Sequence, residues 1–438
     1  MTLRDIAADI VRRLQTAGYE AFWVGGCVRD QLLDRVPHDY DIATDATPTE
    51  IEALFPHTIP VGRQFGVIIA VIEGMQFQIA TFREESGYQD GRRPDRVRFT
   101  NAQADAFRRA FTENGVFYDP TTDTLHDWVG GKADLAAKVI RTIGNPGDRF
   151  REDHLRLLRA IRFAAQLGFE VEERTLDSVR ANCELLKSVS AERVRDELLK
   201  LFMSPHAARG FVLLKNSGLM EVVLPEMTRF TGCEQPPDHH PEGDVFEHVR
   251  RMLDLLPCEA STELVWSVLL HDIAKPLTFS RNPETGRIRF YEHEKVGADL
   301  AEEILTRLRF PKQQTAAIKA CVRHHMQFIS VPQMRRSTLR KLFLHPTFDT
   351  ELDLLRLDSL GSSGDLALYN QVRSELEAFN AMPQLVQPLV SGDDLMALGI
   401  PAGPELGKLL SQLRELQLQG ELQTRDESIM WVRQRFHS

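Results

Sequence analysis

The sequence lacks any apolar run close to the roughly 20 residues that a membrane-spanning helix requires. The first residues, Met1 to Ala8, also lack the basic and then apolar pattern of a secretory signal peptide. We therefore expect a protein that stays in the cytoplasm and binds no membrane.

Cysteine is scarce, and no two cysteines form a C-x-x-C pair. This spacing argues against a disulfide framework and against a structural zinc site. We expect all five to be reduced, ordinary residues: Cys27, Cys183, Cys233, Cys258 and Cys321.

Positive charge is also in short supply, since 53 Lys and Arg residues face 63 Asp and Glu, for a formal net charge of −10. Nucleic-acid binding normally needs a positive field, so this balance is a mild argument against it. It leaves room for a local basic face. The clearest basic run, Arg335 to Lys341, fits either an RNA-backbone contact or a solvated helix face.

What the chain does contain is enough material for several cores. A length of 438 residues, with 42% hydrophobic and 26% charged residues, is typical of a soluble globular protein of two to four domains. The stretch Glu234 to Gly243 holds three prolines and is the best linker candidate.

The chemistry that stands out lies between residues 24 and 44, which read as strand, glycine turn, short helix and second strand. Gly25 and Gly26 let backbone N–H groups approach a polyphosphate, and Arg29 offers a forked phosphate contact. Asp39 and Asp41 would share one face of the second strand and can hold hard divalent cations. Each feature alone is common, but together they indicate a nucleotidyl-transfer site that uses Mg²⁺.

Three local patterns predict the elements around this site. Apolar positions of helical period after Thr2 predict a helix over 3–17. Thr47-Pro48-Thr49-Glu50 predicts a capped helix that runs to Phe55. Apolar stretches over 65–72 and 76–82 predict a hairpin around Glu73-Gly74.

The residues Gly25-Gly26-x-Val28-Arg29-Asp30-x-Leu32-Leu33, with Asp39-x-Asp41-Ile42, resemble the signature of the class II tRNA nucleotidyltransferase and bacterial poly(A) polymerase family. Further matches follow in order along most of the chain. The resemblance implies an α+β fold: a head with a mixed β-sheet (1–145), an all-α neck with a base-template motif (146–230), an HD-type helical body (244–365) and a helical tail that contributes to tRNA binding (366–438).

The activity implied by this resemblance is transfer of CMP or AMP from CTP or ATP to the 3′ end of tRNA or another RNA. Asp39 and Asp41 would be catalytic and would hold Mg²⁺. The nucleotide-binding residues implied by the family are Gly25, Gly26, Arg29, Arg108, Arg109, Asp153, Arg156, Arg159 and Arg162.

Asp153 and Arg156 are the base-selecting pair in that scheme. Three residues apart in a predicted helix, they would share a face, and such a pair is usually a surface ion pair worth under roughly 1 kcal/mol. In the family the matching residues read the Watson–Crick edge of CTP or ATP, and we prefer that interpretation here.

Two positions depart from the family pattern. Gln78 stands where the family has a third acid, and Ala110 stands where the family has an acid beside its paired arginines. Glu113, about one helical turn after Ala110, either restores a carboxylate near the site or is a solvated side chain.

A second set of residues has the order and spacing of an HD-type phosphohydrolase site. Such a set can hold one or two transition metals and activate water for phosphoester hydrolysis. Its members are His248, His271, Asp272, His293, His325 and Asp358. His324 competes with His325 for the fifth position.

The sequence leaves several functions open. Within the family, addition of CCA, of CC only, of A only and of poly(A) share the same motifs. Outside it, the chain could be an HD phosphohydrolase whose impaired head only binds nucleotide or RNA, or an RNA-binding protein without turnover.

Overall fold

The computed structural model describes residues 1–60, 62–88, 91–92, 94–381 and 387–436. The chain divides into two compact units, Met1–Thr228 and Arg229–Ser438. Among the described residues, no helix is long and apolar enough to cross a membrane. The four predicted domain boundaries remain predictions.

The first unit carries the strands and the shorter helices. Its helices are α1 Leu3–Thr16, α2 Gly26–Leu32, α3 Pro48–Leu54, α4 Ala102–Arg108, α5 Gly131–Ala137, α6 Pro146–Glu152, α7 Arg156–Leu167, α8 Glu173–Asn182, α9 Ala191–Phe202, α10 Ala207–Asn216 and α11 Met220–Val223. Its strands are β1 Ala21–Val24, β2 Asp41–Thr44, β3 Thr58–Ile59, β4 Val67–Ile72, β5 Met75–Thr81, β6 Arg83–Tyr88, β7 Pro94–Phe99, β8 Phe117–Asp119, β9 Thr124–His126, β10 Val139–Ile140 and β11 Glu170–Val171.

The second unit is mostly helical. Its helices are α12 Val245–Asp254, α13 Thr262–Leu270, α14 Lys275–Thr278, α15 His293–Arg307, α16 Lys312–His324, α17 Arg336–Phe343, α18 Phe348–Gly361, α19 Ala367–Asn380, α20 Gly392–Ala397, α21 Pro404–Gln419 and α22 Arg425–Phe436. It also contains one small hairpin, β12 Phe279–Arg281 with β13 Ile288–Phe290.

A mixed seven-stranded sheet organises the first unit, in the order β3-β4-β5-β2-β1-β8-β9. Strands β2 and β5 pair in parallel, with Ile42 opposite Ile79. Ile42 and Ile79 belong to a buried cluster with Ile10 of α1 and Trp23 of β1. Because side chains alternate along a strand, Asp41 and Gln78 project from the opposite face.

The predicted local patterns are confirmed. Thr2 caps α1 and exchanges hydrogen bonds with Asp5, and Thr47 forms the same kind of capping box with Glu50 at the start of α3. The β4–β5 hairpin turns at Glu73 and Gly74, whose φ values are 51° and 78°. Two successive left-handed residues are what a tight hairpin turn of this twist requires.

Three expectations were wrong in detail. Strand β2 begins at Asp41, so Asp39 lies before it. The reason is that Asp41 pairs with Val24, the last residue of β1. Because the chain turns away at Gly25, β1 does not extend far enough to pair with Asp39. The expected helix through Asp153 is broken, as described below. The neck and body are not entirely helical, since β10 pairs with β11 and β12 with β13.

Candidate nucleotide and metal sites

Two cavities of about 390 Å³ and 220 Å³ open on the acid-bearing face of the sheet in the first unit. They share Val67, Gln78, Arg83 and Arg108 as lining residues. The smaller cavity adds Asp41 and Arg109, and the larger adds the predicted template residues Asp153 and Arg156. The structure thus brings one predicted metal ligand and the predicted base-selecting pair to adjoining cavities.

Asp41 is the less exposed, half-buried member of the acid pair. Burial, and then the negative charge of nearby Asp39, raise the pKa of Asp41 to about 6, while the Arg109 guanidinium opposes the rise. Asp39 is exposed, and Tyr40 between them is buried against Trp23, with ring centroids 4.7 Å apart. Both acids therefore avoid the core, although Asp39 lies outside the strand that was predicted to carry it.

The glycine turn lies beside this pair. Gly25 has a φ of 77°, a backbone conformation that residues with a side chain rarely adopt. A Cβ placed on Gly25 would lie 3.5 Å from Arg109 Nη1 and 3.8 Å from Asp41 Oδ2. Arg29, in contrast, lines neither cavity. Its guanidinium pairs with Asp30 at 2.7 Å and donates to Asn114 Oδ1 at 3.1 Å.

The two predicted arginines are held by an acid that the sequence analysis missed. Asp105 is buried and accepts from Arg108 Nε at 2.8 Å and from Arg109 Nη2 at 3.2 Å. Burial alone would raise the pKa of Asp105, but these two guanidinium groups hold it below its ordinary value. The i,i+3 and i,i+4 spacing on α4 was the available signal.

Glu85 is a second missed acid. It pairs with Arg83 at 2.6 Å and with Arg108 at 3.3 Å, and it accepts a hydrogen bond from Tyr88. Glu85 and Asp105 thereby fix the directions of the arginines that line the larger cavity.

The template residues occupy a turn rather than one helix. Helix α6 ends at Glu152, and the backbone of Asp153 is extended. The Asp153 carboxylate accepts a hydrogen bond from Leu155 N at 3.3 Å, and a local bond of this kind competes with helix formation. Asp153 also accepts from Arg193 Nη2 at 3.1 Å, while Arg156 pairs with Glu152. The simple surface pair between Asp153 and Arg156 is therefore not formed, and both face the larger cavity beside Arg193.

Arg159 and Arg162 lie outside both cavities. Their Nε atoms lie 3.2 Å and 2.9 Å from the two carboxylate oxygens of buried Glu197. In this structure they anchor α7 to α9, and their predicted nucleotide contacts remain a prediction.

The donor set of the first unit fits a hard divalent cation. Asp39 and Asp41 offer carboxylate oxygens, the ligands that Mg²⁺ prefers. The raised pKa of Asp41 reflects a half-buried negative charge with insufficient positive charge around it, which a bound cation would supply.

In the second unit, all six residues predicted for the HD site converge. Asp272 lies at the centre: its carboxylate oxygens are 3.2 Å from His271 Nε2, 3.5 Å from His293 Nε2 and 3.9 Å from the Nε2 atoms of His248 and His325. Asp358 Oδ1 lies 3.2 Å from His248 Nε2. The structure selects His325 over His324, because only His325 faces this cluster.

The histidines of this HD cluster are oriented as metal ligands usually are. The Nδ1–H groups of His271, His293 and His325 donate to the carbonyls of Val268, Phe290 and Val322, so each ring turns its Nε2 towards Asp272. Nε2 of His293 and Nε2 of His325 lie 3.1 Å apart.

Three buried atoms of the HD cluster make no hydrogen bond within the described part of the chain: His248 Nε2, His271 Nε2 and Asp272 Oδ1. The other Asp272 oxygen, Oδ2, lies 2.7 Å from Lys275 Nζ. Burial is costly for such atoms unless a partner is supplied. Nitrogen and carboxylate donors suit a transition metal, so the cluster fits one. A cavity of about 510 Å³, with Lys275 and Phe290 in its wall, opens onto the cluster.

Comparison with known proteins extends these observations along the chain. Three family models match: the Poly A polymerase head domain at residues 21–141, the probable RNA and SrmB-binding site of polymerase A at 168–231, and the HD domain at 245–346. A CCA-adding enzyme from Lactobacillus johnsonii is 32% identical over 426 residues, which cover 97% of this chain and 95% of that protein. The chain belongs to the CCA-adding enzyme family.

Two further comparisons agree with this placement. A CCA-adding enzyme from Lactobacillus helveticus is 44% identical over 218 residues, which cover 50% of this chain and 54% of that protein. The crystal structure of the Bacillus stearothermophilus CCA-adding enzyme in complex with CTP aligns with a TM-score of 0.73 and 26% identity, over 99% of this chain and 98% of that one. The resemblance inferred from the motifs is confirmed.

Against the pattern expected for the CCA-adding enzyme family, the departures fall at informative places. Gln78 lines both cavities, one of them together with Asp41, so a neutral amide occupies the place of a third acid. Glu113 is fully buried, so it is not a solvated side chain, and it lines neither cavity. Its Oε1 accepts from Asn114 Nδ2 at 3.1 Å, and its Oε2 makes no hydrogen bond to any of the described residues.

Proposed function

We propose that this chain adds nucleotides to the 3′ end of tRNA, transferring CMP from CTP and AMP from ATP with release of pyrophosphate. The observation that carries the proposal is the acid pair beside an arginine-lined cavity, in a chain aligned over 97% of its length with a CCA-adding enzyme. The relatives from Lactobacillus helveticus and Lactobacillus johnsonii are both CCA-adding enzymes, which favours CCA addition over poly(A) addition.

Different residues of the site bind the metal, the phosphates and the base. Asp39 and Asp41 hold Mg²⁺, which when bound lowers the pKa of the attacking 3′-hydroxyl and stabilises the departing pyrophosphate. The Gly25–Gly26 turn leaves room for phosphate oxygens, which Arg108 and Arg109 attract. Asp153 and Arg156 offer an acceptor and a donor to the base in the larger cavity.

The test is incorporation of labelled CTP and ATP, separately and together, into tRNA that lacks its 3′ end. We expect Asp41→Asn to lower incorporation by at least 100-fold, because a half-buried ligand to Mg²⁺ loses its charge. Asp34→Asn, in the exposed turn after α2, is the matched control and should retain activity. An Asp41→Asn variant with full activity would refute the proposal.

The same assay separates the specificities. CTP alone, ATP alone and both together give distinct products for CC-adding, A-adding and CCA-adding enzymes, and a poly(A) polymerase would extend with ATP without stopping. We expect addition of two C residues and one A.

We also propose that the HD cluster holds a transition metal and hydrolyses a phosphoester. Its support is the convergence of four histidine Nε2 atoms on Asp272, with three buried atoms of the cluster that make no hydrogen bond to a described residue. Metal analysis of purified protein, with hydrolysis of bis(p-nitrophenyl) phosphate as the activity assay, tests this. Asp272→Asn should lose one metal ion per chain and the hydrolysis, whereas Asp238→Asn, at an exposed position of the same unit, should keep both. Equal metal content in the two variants would contradict the proposal.

A cytoplasmic location belongs to the same proposal. All five cysteines are free thiols in the structure, three of them buried. Unpaired cysteines are the usual state in a reducing compartment.

A further inference from the structure

A second histidine cluster lies beside the HD cluster in the same unit. His324 is the last residue of α16, His345 follows α17, and Glu351 lies on the first turn of α18. Their ligand atoms all lie within 4.8 Å of one another. The cluster joins three segments, so it is not the product of one helix's local spacing.

Neighbouring histidines serve different sites here. His325 turns its Nδ1–H to the Val322 carbonyl and its Nε2 towards Asp272. His324 points elsewhere because consecutive residues near a helix end are rotated by about 100°. Its Nδ1 lies 3.0 Å from Glu351 Oε1, with 29% of its side chain exposed.

The spacing of the donors matches a metal polyhedron. His324 Nδ1 and His345 Nδ1 lie 3.0 Å and 3.3 Å from the same oxygen, Glu351 Oε1. A tetrahedral Zn²⁺ with bonds of about 2.0–2.1 Å places its ligand atoms about 3.3 Å apart. The pair of distances therefore matches two edges of a zinc tetrahedron.

The carboxylate is held in place by its own partners. The Glu351 side chain is fully buried, and it accepts from Thr347 Oγ1 at 2.6 Å and from Gln327 Nε2 at 2.7 Å. The histidines form the open side, since the His345 side chain is 40% exposed. A supported carboxylate with two histidines at a solvent-facing edge is a common arrangement for a metal with a remaining position for water.

We propose that His324, His345 and Glu351 form a second divalent transition-metal site, of the Zn²⁺ type, separate from the HD cluster. Water completes the coordination. In the metal-free protein His324 Nδ1–H donates to Glu351 Oε1, and His345 Nδ1–H is shared between Thr347 Oγ1 and Glu351 Oε1. With a metal bound, each ring carries its proton on Nε2 instead, which leaves the Nδ1 lone pair for the ion. The bound ion connects α16, the segment between α17 and α18, and α18 itself.

The experiment counts metal ions per chain. Full-length protein is stripped with a chelator and titrated with Co²⁺, whose visible spectrum reports nitrogen and carboxylate ligation, in wild type, His345→Gln, Asp272→Asn and the double variant. Counted as ions with nitrogen ligation, which leaves out any ion on the carboxylates Asp39 and Asp41, we expect His345→Gln to bind one Co²⁺ fewer than wild type, Asp272→Asn to retain one ion, and the double variant to retain none. His57→Gln, at an exposed histidine of the first unit, should match wild type.

Thermal melting gives a second readout. Zn²⁺ should raise the Tm of Asp272→Asn but not of the double variant, because a site that binds only the folded state stabilises it. Equal Co²⁺ binding by wild type and His345→Gln would overturn the proposal and leave Glu351 as a hydrogen-bond acceptor only. That comparison decides the matter even if Asp272→Asn fails to fold, and it does not depend on the HD cluster binding metal.

Discussion

At the scale of single residues, Gln78 is the most informative departure from the family pattern. It precedes Ile79, the β5 partner of Ile42, and its side chain lines both cavities, one of them with Asp41. We expect Gln78→Glu to lower the Mg²⁺ concentration needed for half-maximal incorporation several-fold, because a third carboxylate attracts the cation more strongly. A Mg²⁺ titration of CTP incorporation measures this.

The matched control for Gln78→Glu is Gln76→Glu. Gln76 is exposed and lies two residues before Gln78 on the same strand. The substitution Gln76→Glu therefore adds the same charge on the same side of β5. The two variants would need equal Mg²⁺ if position 78 had no part in metal binding, and that outcome would contradict the prediction.

Glu113 gives a prediction about stability at the same scale. Burial raises the pKa of Glu113 to about 8, although Arg29 and Arg162 favour its charged form. The unfolded chain releases this proton near pH 4.5, so the folded state binds more protons between about pH 4.5 and 8. The contribution of Glu113 to the free energy of unfolding therefore falls as pH rises through that window.

Glu113→Gln should remove the part of the fall in the free energy of unfolding with rising pH that is due to Glu113. We expect the Tm of the variant relative to wild type to rise between pH 5 and pH 8, since a neutral amide needs no proton. Thermal melting at several pH values measures it, with Glu20→Gln at an exposed site as the control. A Tm difference that stays constant with pH would show that Glu113 is charged throughout.

At the scale of helices and strands, the sequence patterns correctly predicted the helix caps and turns that depend on nearby residues. The caps at Thr2 and Thr47 and the turn at Glu73-Gly74 each depend on neighbours within four residues, and the structure has them as predicted. The motif residues Asp41, Arg108 and Asp153 were found because their types and order are distinctive. Their arrangement around two adjoining cavities could only be inferred from the resemblance.

The features that could not be predicted from the sequence depend on contacts between segments that are distant in the chain. Strand β2 begins at Asp41 because β1 ends opposite it, and Arg193 reaches Asp153 across 40 residues of sequence. Glu85 approaches Arg108 only because β6 packs near α4. The β12–β13 hairpin is short and interrupts a helical region, so its pattern was too brief to detect.

Helix α9 supplies the prediction at this scale, because its residue Arg193 holds the template acid. Arg193→Gln removes the charged donor at 3.1 Å from Asp153, so the carboxylate loses its fixed orientation towards the base. We expect the ratio of CTP to UTP incorporation to fall roughly ten-fold, equivalent to about 1.4 kcal/mol, which is typical of a hydrogen bond to a charged group.

Competition between labelled CTP and UTP measures that ratio. Arg180→Gln is a suitable control, since Arg180 is exposed on α8 and pairs with Asp177 outside both cavities. An unchanged ratio in Arg193→Gln would mean that Asp153 keeps its position without Arg193.

At the scale of the whole molecule, a protein with a net charge of −10 must bind RNA through local positive charge. The basic run near α17 is divided in the structure. Arg340 Nη1 donates to the Leu418 carbonyl at 2.7 Å, and Lys341 pairs with Glu415, so both hold α21. Arg335 and Arg336 are exposed at the start of α17. These two are therefore the better candidates for RNA phosphate contacts.

We expect the double variant Arg335→Ala/Arg336→Ala to bind tRNA more weakly and with less dependence on salt. Each lost phosphate contact reduces the slope of log K against log salt concentration by about 0.7–0.9, so the slope should fall by roughly 1.5. Binding measured across a series of salt concentrations gives this slope. The matched control is Arg250→Ala/Arg251→Ala, which removes two adjacent arginines held by Glu247 in the same unit. If both variants weaken binding equally, net charge rather than a contact at α17 governs the affinity.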